Sequence, residues 1–148
     1  MKSDRWLLQF LVTVVVGYLT AKLELFFGTI NLSGFLINNL ITILVALLAI
    51  NSATLSIVLT KIREIIDKNN MSNDAFAKSK SEMMFSLKEQ VALIIFSIPL
   101  IVLYKSKFIV LFNLSIVLNT CLISIFIFSI FILYDTAKSV FVVLEFKA

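Results

Sequence analysis

The side chains in this sequence that could move a proton or shape an ion path are few, and their surroundings indicate which task they suit. Histidine is absent, and the single thiol, Cys121, lies in an apolar run. The commonest general base and the commonest zinc ligand are thus missing together, which sets metallohydrolase and Ser-His mechanisms aside. There is no Gly-x-Ser-x-Gly elbow, and three glycines in all are too few for a phosphate-cradling loop. A lone cysteine rules out an internal disulfide and reads as an inert buried thiol. Three acids remain near the ends of apolar runs: Glu24, Glu89 and Asp135. Each alone reads as a snorkelling or salt-bridged end residue. Glu89 differs because Lys88-Glu89-Gln90 stands where the third apolar run is shortest, so a water-filled mouth there would contain it. The chemistry on offer is that of fixed charge at a cytoplasmic mouth, carried by Arg63, Asp67 and Glu89. No enzyme activity, cofactor or bound metal is expected.

The stretch that would position such a mouth runs from Asn39 to Asp67. At alternating steps of three and four it gives Asn39, Thr42, Ala46, Ala49, Ala53, Ser56 and Thr60, followed by Arg63 and Asp67. The adjoining row, Ile41, Val45, Leu48, Ser52, Leu55, Leu59, Ile62 and Ile66, is almost wholly large and apolar. This is a long helix with a thin face and a fat face. A thin face in hydrocarbon lets another helix approach closely, or it lines a space that water enters. Both readings of the seven-residue stripe stay open, and close packing is the more common use of small residues.

The class follows from composition. Of 148 residues, 60% are hydrophobic and 15% charged, the mean hydropathy is +1.05, and the charges cluster between long uncharged runs, so this is an all-α integral membrane protein. Four spans are expected, at about 6–27, 35–60, 85–104 and 108–134, forming a single domain. The first apolar run also resembles a signal peptide, with Leu19-Thr20-Ala21 as a cleavage site; the alternative is a retained helix. The thin face of that helix, Gln9, Thr13, Gly17, Thr20 and Glu24, is expected to meet another helix. Gly28 to Gly34 is read as the turn before the second span, Lys105-Ser106-Lys107 as a minimal turn before the fourth. Residues 61–88 read as a cytoplasmic helical hairpin, broken near Asn69-Asn70 and restarted with Asp74 as a cap. Pro99 should kink the third span, with Ser97 or a neighbouring helix helping to satisfy the freed carbonyl. Residues 135–148 read as an amphipathic helical extension.

Ten basic residues fall on the N-terminal side of the membrane and three, Lys22, Lys105 and Lys107, on the other, which predicts cytoplasmic termini. Lys61, Lys68, Lys78, Lys80 and Lys88 are the candidate contacts for an anionic ligand, although interspersed acids make an ordinary solvated surface the plainer reading. Thin polar faces on the first, second and fourth helices favour self-association. The four-span plan, long inner helix extensions, lack of catalytic residues and richness in Ile, Phe, Asn and Lys resemble the compact membrane effectors of bacterial anti-phage defence systems. In size and plan the chain is also similar to colicin-immunity proteins. The first resemblance rests on the hydropathy plan and brings no residue roles with it. It implies an effector that opens or damages the inner membrane when infection is sensed, held or released by a nucleotide or oligonucleotide at the basic cytoplasmic side. With the self-association that the polar faces favour, the expected protein is a homo-oligomeric channel or pore. The alternative is a non-enzymatic immunity or assembly factor docking on another membrane protein.

Overall fold

The structure, a computed structural model, describes residues 2–29, 31–68, 76–106 and 114–144. Among the described residues it is all-helical, with α1 Lys2–Phe26, α2 Asn31–Lys68, α3 Ala77–Tyr104 and α4 Ser115–Leu144. All four are long and apolar enough to cross a membrane. In hydrocarbon a helix satisfies its backbone polar groups internally, so unbroken apolar runs of this length settle as helices. α4 is the hub: it packs against α1, α2 and α3, whereas α1 scarcely touches α2. The chain is therefore organised around its fourth helix rather than its second.

Two apolar cores stack along the bundle. One joins Ala21, Leu36, Leu40, Leu44, Leu122 and Ile123 of α1, α2 and α4. The other joins Leu55, Val58, Ile62, Ile65, Ile66, Phe76 and Met83, with Leu87 and Val140 packed against it. The second core holds the ends of α2 and α4 to the start of α3, so the stretch read as a helical hairpin gains a third helix. Phe76 occupies the N-cap of α3 without a side-chain cap, and its ring is buried in that core. Burial of the ring holds the start of α3 against that core; Asp74, the expected cap, lies outside the described residues.

The first turn is tighter than Gly28 to Gly34. Gly28, at φ +63, ends α1 in a Schellman arrangement: Thr29 N–H donates to the Glu24 carbonyl at 2.9 Å and Gly28 N–H to the Leu25 carbonyl at 3.2 Å. α2 is already helical at Asn31, so Gly34 lies within it. The reason is Glu24, which is buried rather than snorkelling. Its carboxylate accepts from the backbone N–H groups of Leu32 at 2.6 Å and Ser33 at 3.1 Å, and from the Ser33 hydroxyl at 2.6 Å. A negative charge thus meets the positive end of α2 and satisfies orphan donors of its first turn. Glu24→Ala should lower stability by about 1–2 kcal/mol, as loss of a helix cap does, while Glu24→Gln, which keeps an acceptor, should lose less. Thermal unfolding in detergent checks this order, and equal losses in the two variants would show that the single acceptor kept by glutamine does not cap α2.

α3 runs through Pro99 without interruption. The Ser97 hydroxyl donates to the Ile94 carbonyl at 2.8 Å, not to the Ile95 carbonyl that the proline leaves without its amide partner. After Tyr104 the chain turns at Lys105 and Ser106, and the next described helix, α4, begins at Ser115. The expected turn residue Lys107 and the expected start of the fourth span at 108 fall outside the described residues. α4 then passes Asp135 unbroken to Leu144.

Candidate functional site

The α2 stripe faces away from its own bundle. Thr42, Ala46, Ala49, Ala53, Ser56 and Thr60 are exposed and Asn39 is half-buried. α2 instead packs through Leu36, Leu40, Leu44, Asn51, Leu55, Val58 and Ile62. Close packing of the thin face is thus not used inside one chain, because large side chains fill the space toward α3 and α4. Three polar side chains of the stripe turn inward on their own helix. The Asn39 amide donates to the Phe35 carbonyl at 2.9 Å, and the hydroxyls of Ser56 and Thr60 donate to the Ser52 and Ser56 carbonyls at 3.0 Å. A surface whose donors are mostly turned onto its own backbone is weakly polar and tolerates a neighbouring helix or a narrow water file.

The three mouth residues are not gathered. Asn51 of α2 donates its amide N–H to Gln90 Oε1 of α3 at 2.9 Å, so Glu89 stands at the level of Asn51. Arg63 is twelve residues, about 18 Å, further along α2, exposed with Asp67. The run Lys88-Glu89-Gln90 also splits three ways. Lys88 is exposed, Glu89 accepts from Trp6 Nε1 at 2.7 Å, and Gln90 is buried against Asn51. Three consecutive helical residues point about 100° apart, so one mouth cannot hold them all.

The candidate anion contacts stay on the outside of α2 and α3. Lys68, Lys78 and Lys88 are exposed and Lys80 is half-buried. Lys61 pairs with Glu64 at 2.9 Å, with both side chains well exposed, a surface pair worth about 1 kcal/mol or less.

Sequence reading missed the contacts that tie the helices together at the level of Asn51. Besides Trp6–Glu89 and Asn51–Gln90, the Gln9 amide donates to Asp135 Oδ2 at 3.0 Å, and the Ser86 and Thr136 hydroxyls share a hydrogen bond at 3.1 Å. Trp6 also stacks on Phe10, and both rings meet the edge or face of Phe128 at near right angles. Asn51 Oδ1 and Gln90 Nε2 remain buried without hydrogen-bond partners. The available signal was that Gln9, Asn51 and Gln90 are amides in apolar surroundings, which demand partners; their pairing depends on helix rotation. Set against models of protein families, curated proteins and solved structures, the chain matches none.

Proposed function

We propose that the protein is a homo-oligomeric, pore-forming membrane effector that depolarises the bacterial inner membrane, with both termini cytoplasmic and copies meeting along the α2 stripe. The observation that carries this reading is the outward placement of Thr42, Ala46, Ala49 and Ala53 on a helix capable of spanning the membrane. The other small-residue face, Thr13, Gly17 and Ala21 of α1, is covered within the chain by α4. Lipid gives no reason to line an outer surface with small residues, but a second copy does. The seam between copies would be narrow and weakly polar, with no ring of charge inside the membrane. Small ions should pass with little discrimination. In anti-phage defence the trigger would be a nucleotide or oligonucleotide acting at the basic side, through Lys61, Lys68, Lys78, Lys80 and Lys88.

The intrahelical hydrogen bonds of Ser56 and Thr60 also suit a dry contact with a different membrane protein, the interaction-factor reading. One set of variants separates the two. Ala49→Leu should reduce oligomer size in mild detergent, because the larger side chain holds backbones apart. Thr42→Trp should abolish membrane depolarisation in cells and current in liposomes while leaving insertion intact. A purified protein that stays monomeric and passes no current, with Thr42→Trp retaining cellular activity, would replace the pore with the interaction factor.

A further inference from the structure

Four inter-helix contacts lie at one level of the bundle: Trp6–Glu89, Gln9–Asp135, Asn51–Gln90 and Ser86–Thr136. Each helix contributes within one or two turns, so these contacts form a polar girdle across all four. Along α3, Gln90 to Tyr104 covers about 21 Å. Along the other helices, at ~1.5 Å per residue, Trp6 to Phe26, Asn51 back to Asn31 and the described part of α4 from Asp135 back to Ser115 each cover about 30 Å. That is the thickness of a bilayer hydrocarbon core, ~30 Å. Charge divides at the same level. Between the girdle and the far end, α2, α3 and α4 contain no Lys, Arg, Asp or Glu over 31–50, 91–104 and 115–134. On the other side Lys61, Glu64, Lys80, Glu82 and Lys88 follow one another along α2 and α3.

We infer that this girdle is where the chain meets the phospholipid headgroups of one leaflet. Residues 52–68 of α2, 77–89 of α3 and 136–144 of α4 then stand clear of the hydrocarbon as a three-helix bundle. The bundle has its own core, including Val58, Ile62, Phe76 and Met83, which is what helices in water require. Hydropathy alone carries the second span on to Thr60, but that boundary makes α2 cross about 44 Å from Asn31. It also draws Lys88, Glu89 and Asp135 into hydrocarbon, where charges are rarely accepted. The exposed apolar residues just past the girdle, Ile57, Met84 and Phe85, are within about 9 Å of it along the helix axes, on its water side and at the outer edge of a headgroup layer ~5–8 Å deep. The inference holds for a single chain as for an oligomer and does not rest on the pore reading.

Spin-label depth measurements test it. In a Cys121→Ser background, single cysteines at the exposed positions Val45, Phe96, Ile57 and Phe85 would carry a nitroxide, in liposomes of phosphatidylethanolamine and phosphatidylglycerol. Collisions with dissolved oxygen should dominate at Val45 and Phe96. Collisions with a water-soluble nickel chelate should rise sharply at Ile57 and Phe85. All four side chains face outward, so labelling leaves the packing intact, and detergent-solution size confirms each variant is folded. If Ile57 and Phe85 prove as oxygen-rich and nickel-poor as Val45 and Phe96, the boundary lies beyond them and the inference falls.

Discussion

Gly17→Leu is expected to unseat α1 from α4 and to lower stability by about 3 kcal/mol or more, the upper range for overpacking. α1 meets α4 through Thr13, Gly17 and Ala21, all buried. Where they cross, a Cβ at Gly17 would overlap the Ser124 hydroxyl and lie 3.0 Å from the Thr120 carbonyl oxygen and 3.2 Å from the Ser124 nitrogen. The hydroxyl could rotate away only by giving up its bonds to the Thr120 carbonyl at 2.7 Å and the Thr13 carbonyl at 3.2 Å. The backbone atoms have no such freedom, so the helices must separate along their whole contact. Gly34 supplies the control, since nothing lies within 4 Å of its added Cβ. Gly34→Ala should be neutral or stabilising by about 0.5–1 kcal/mol. Trp6 is the one tryptophan, and it packs on Phe128 of α4, so its fluorescence reports whether α1 is docked. Unfolding by sodium dodecyl sulfate from a mild detergent gives the midpoint. A Gly17→Leu protein with wild-type emission and midpoint would mean that α1 does not cross α4 at this residue.

Asn51→Leu should destabilise by about 1–3 kcal/mol, because it strands Gln90 Oε1 in an apolar interior beside an Nε2 that already lacks a partner. Asn51 is fully buried and Gln90 is 2% exposed, so water cannot take over the lost bond without opening the helices. Gln90→Leu should behave alike by stranding Asn51. The double variant Asn51→Leu/Gln90→Leu should recover most of the loss, since it removes the polar atoms together, including Asn51 Oδ1 and Gln90 Nε2, which already lack partners. A double-mutant cycle on unfolding free energy decides the matter. Additive losses would show that the two amides do not act as a pair.

Much of the architecture was legible because lipid imposes simple demands. Runs such as Val91 to Tyr104 have no alternative to helix in hydrocarbon, and Thr13 with Gly17 advertised a close crossing by size alone. The requirement that Asn51 face protein was likewise evident from the cost of an amide in lipid. What escaped was helix rotation and partner choice. Hydropathy is nearly uniform around α2, so periodicity could not tell that Leu36, Leu40 and Leu44 point inward while Ala46 and Ala49 point out. Glu24 looked like an interfacial charge because its partners, Leu32 and Ser33, are joined to it by backbone groups that no side-chain pattern reveals. The gathering of Arg63, Asp67 and Glu89 failed for a related reason: equal distance from apolar runs does not mean equal height in an antiparallel pair.

The position of the hub in the chain also governs the order of assembly. α1 and α2 are synthesised first, yet they barely touch each other, and the surface both need belongs to α4. At ~5–20 residues per second, the 89 residues from Phe26 to Ser115 take roughly 5–18 s to appear. During that interval α1 must reside in the bilayer with Gly17 and Thr13 facing lipid or an insertion factor. α4 then gathers the earlier three, so the bundle condenses once α4 has emerged rather than growing hairpin by hairpin.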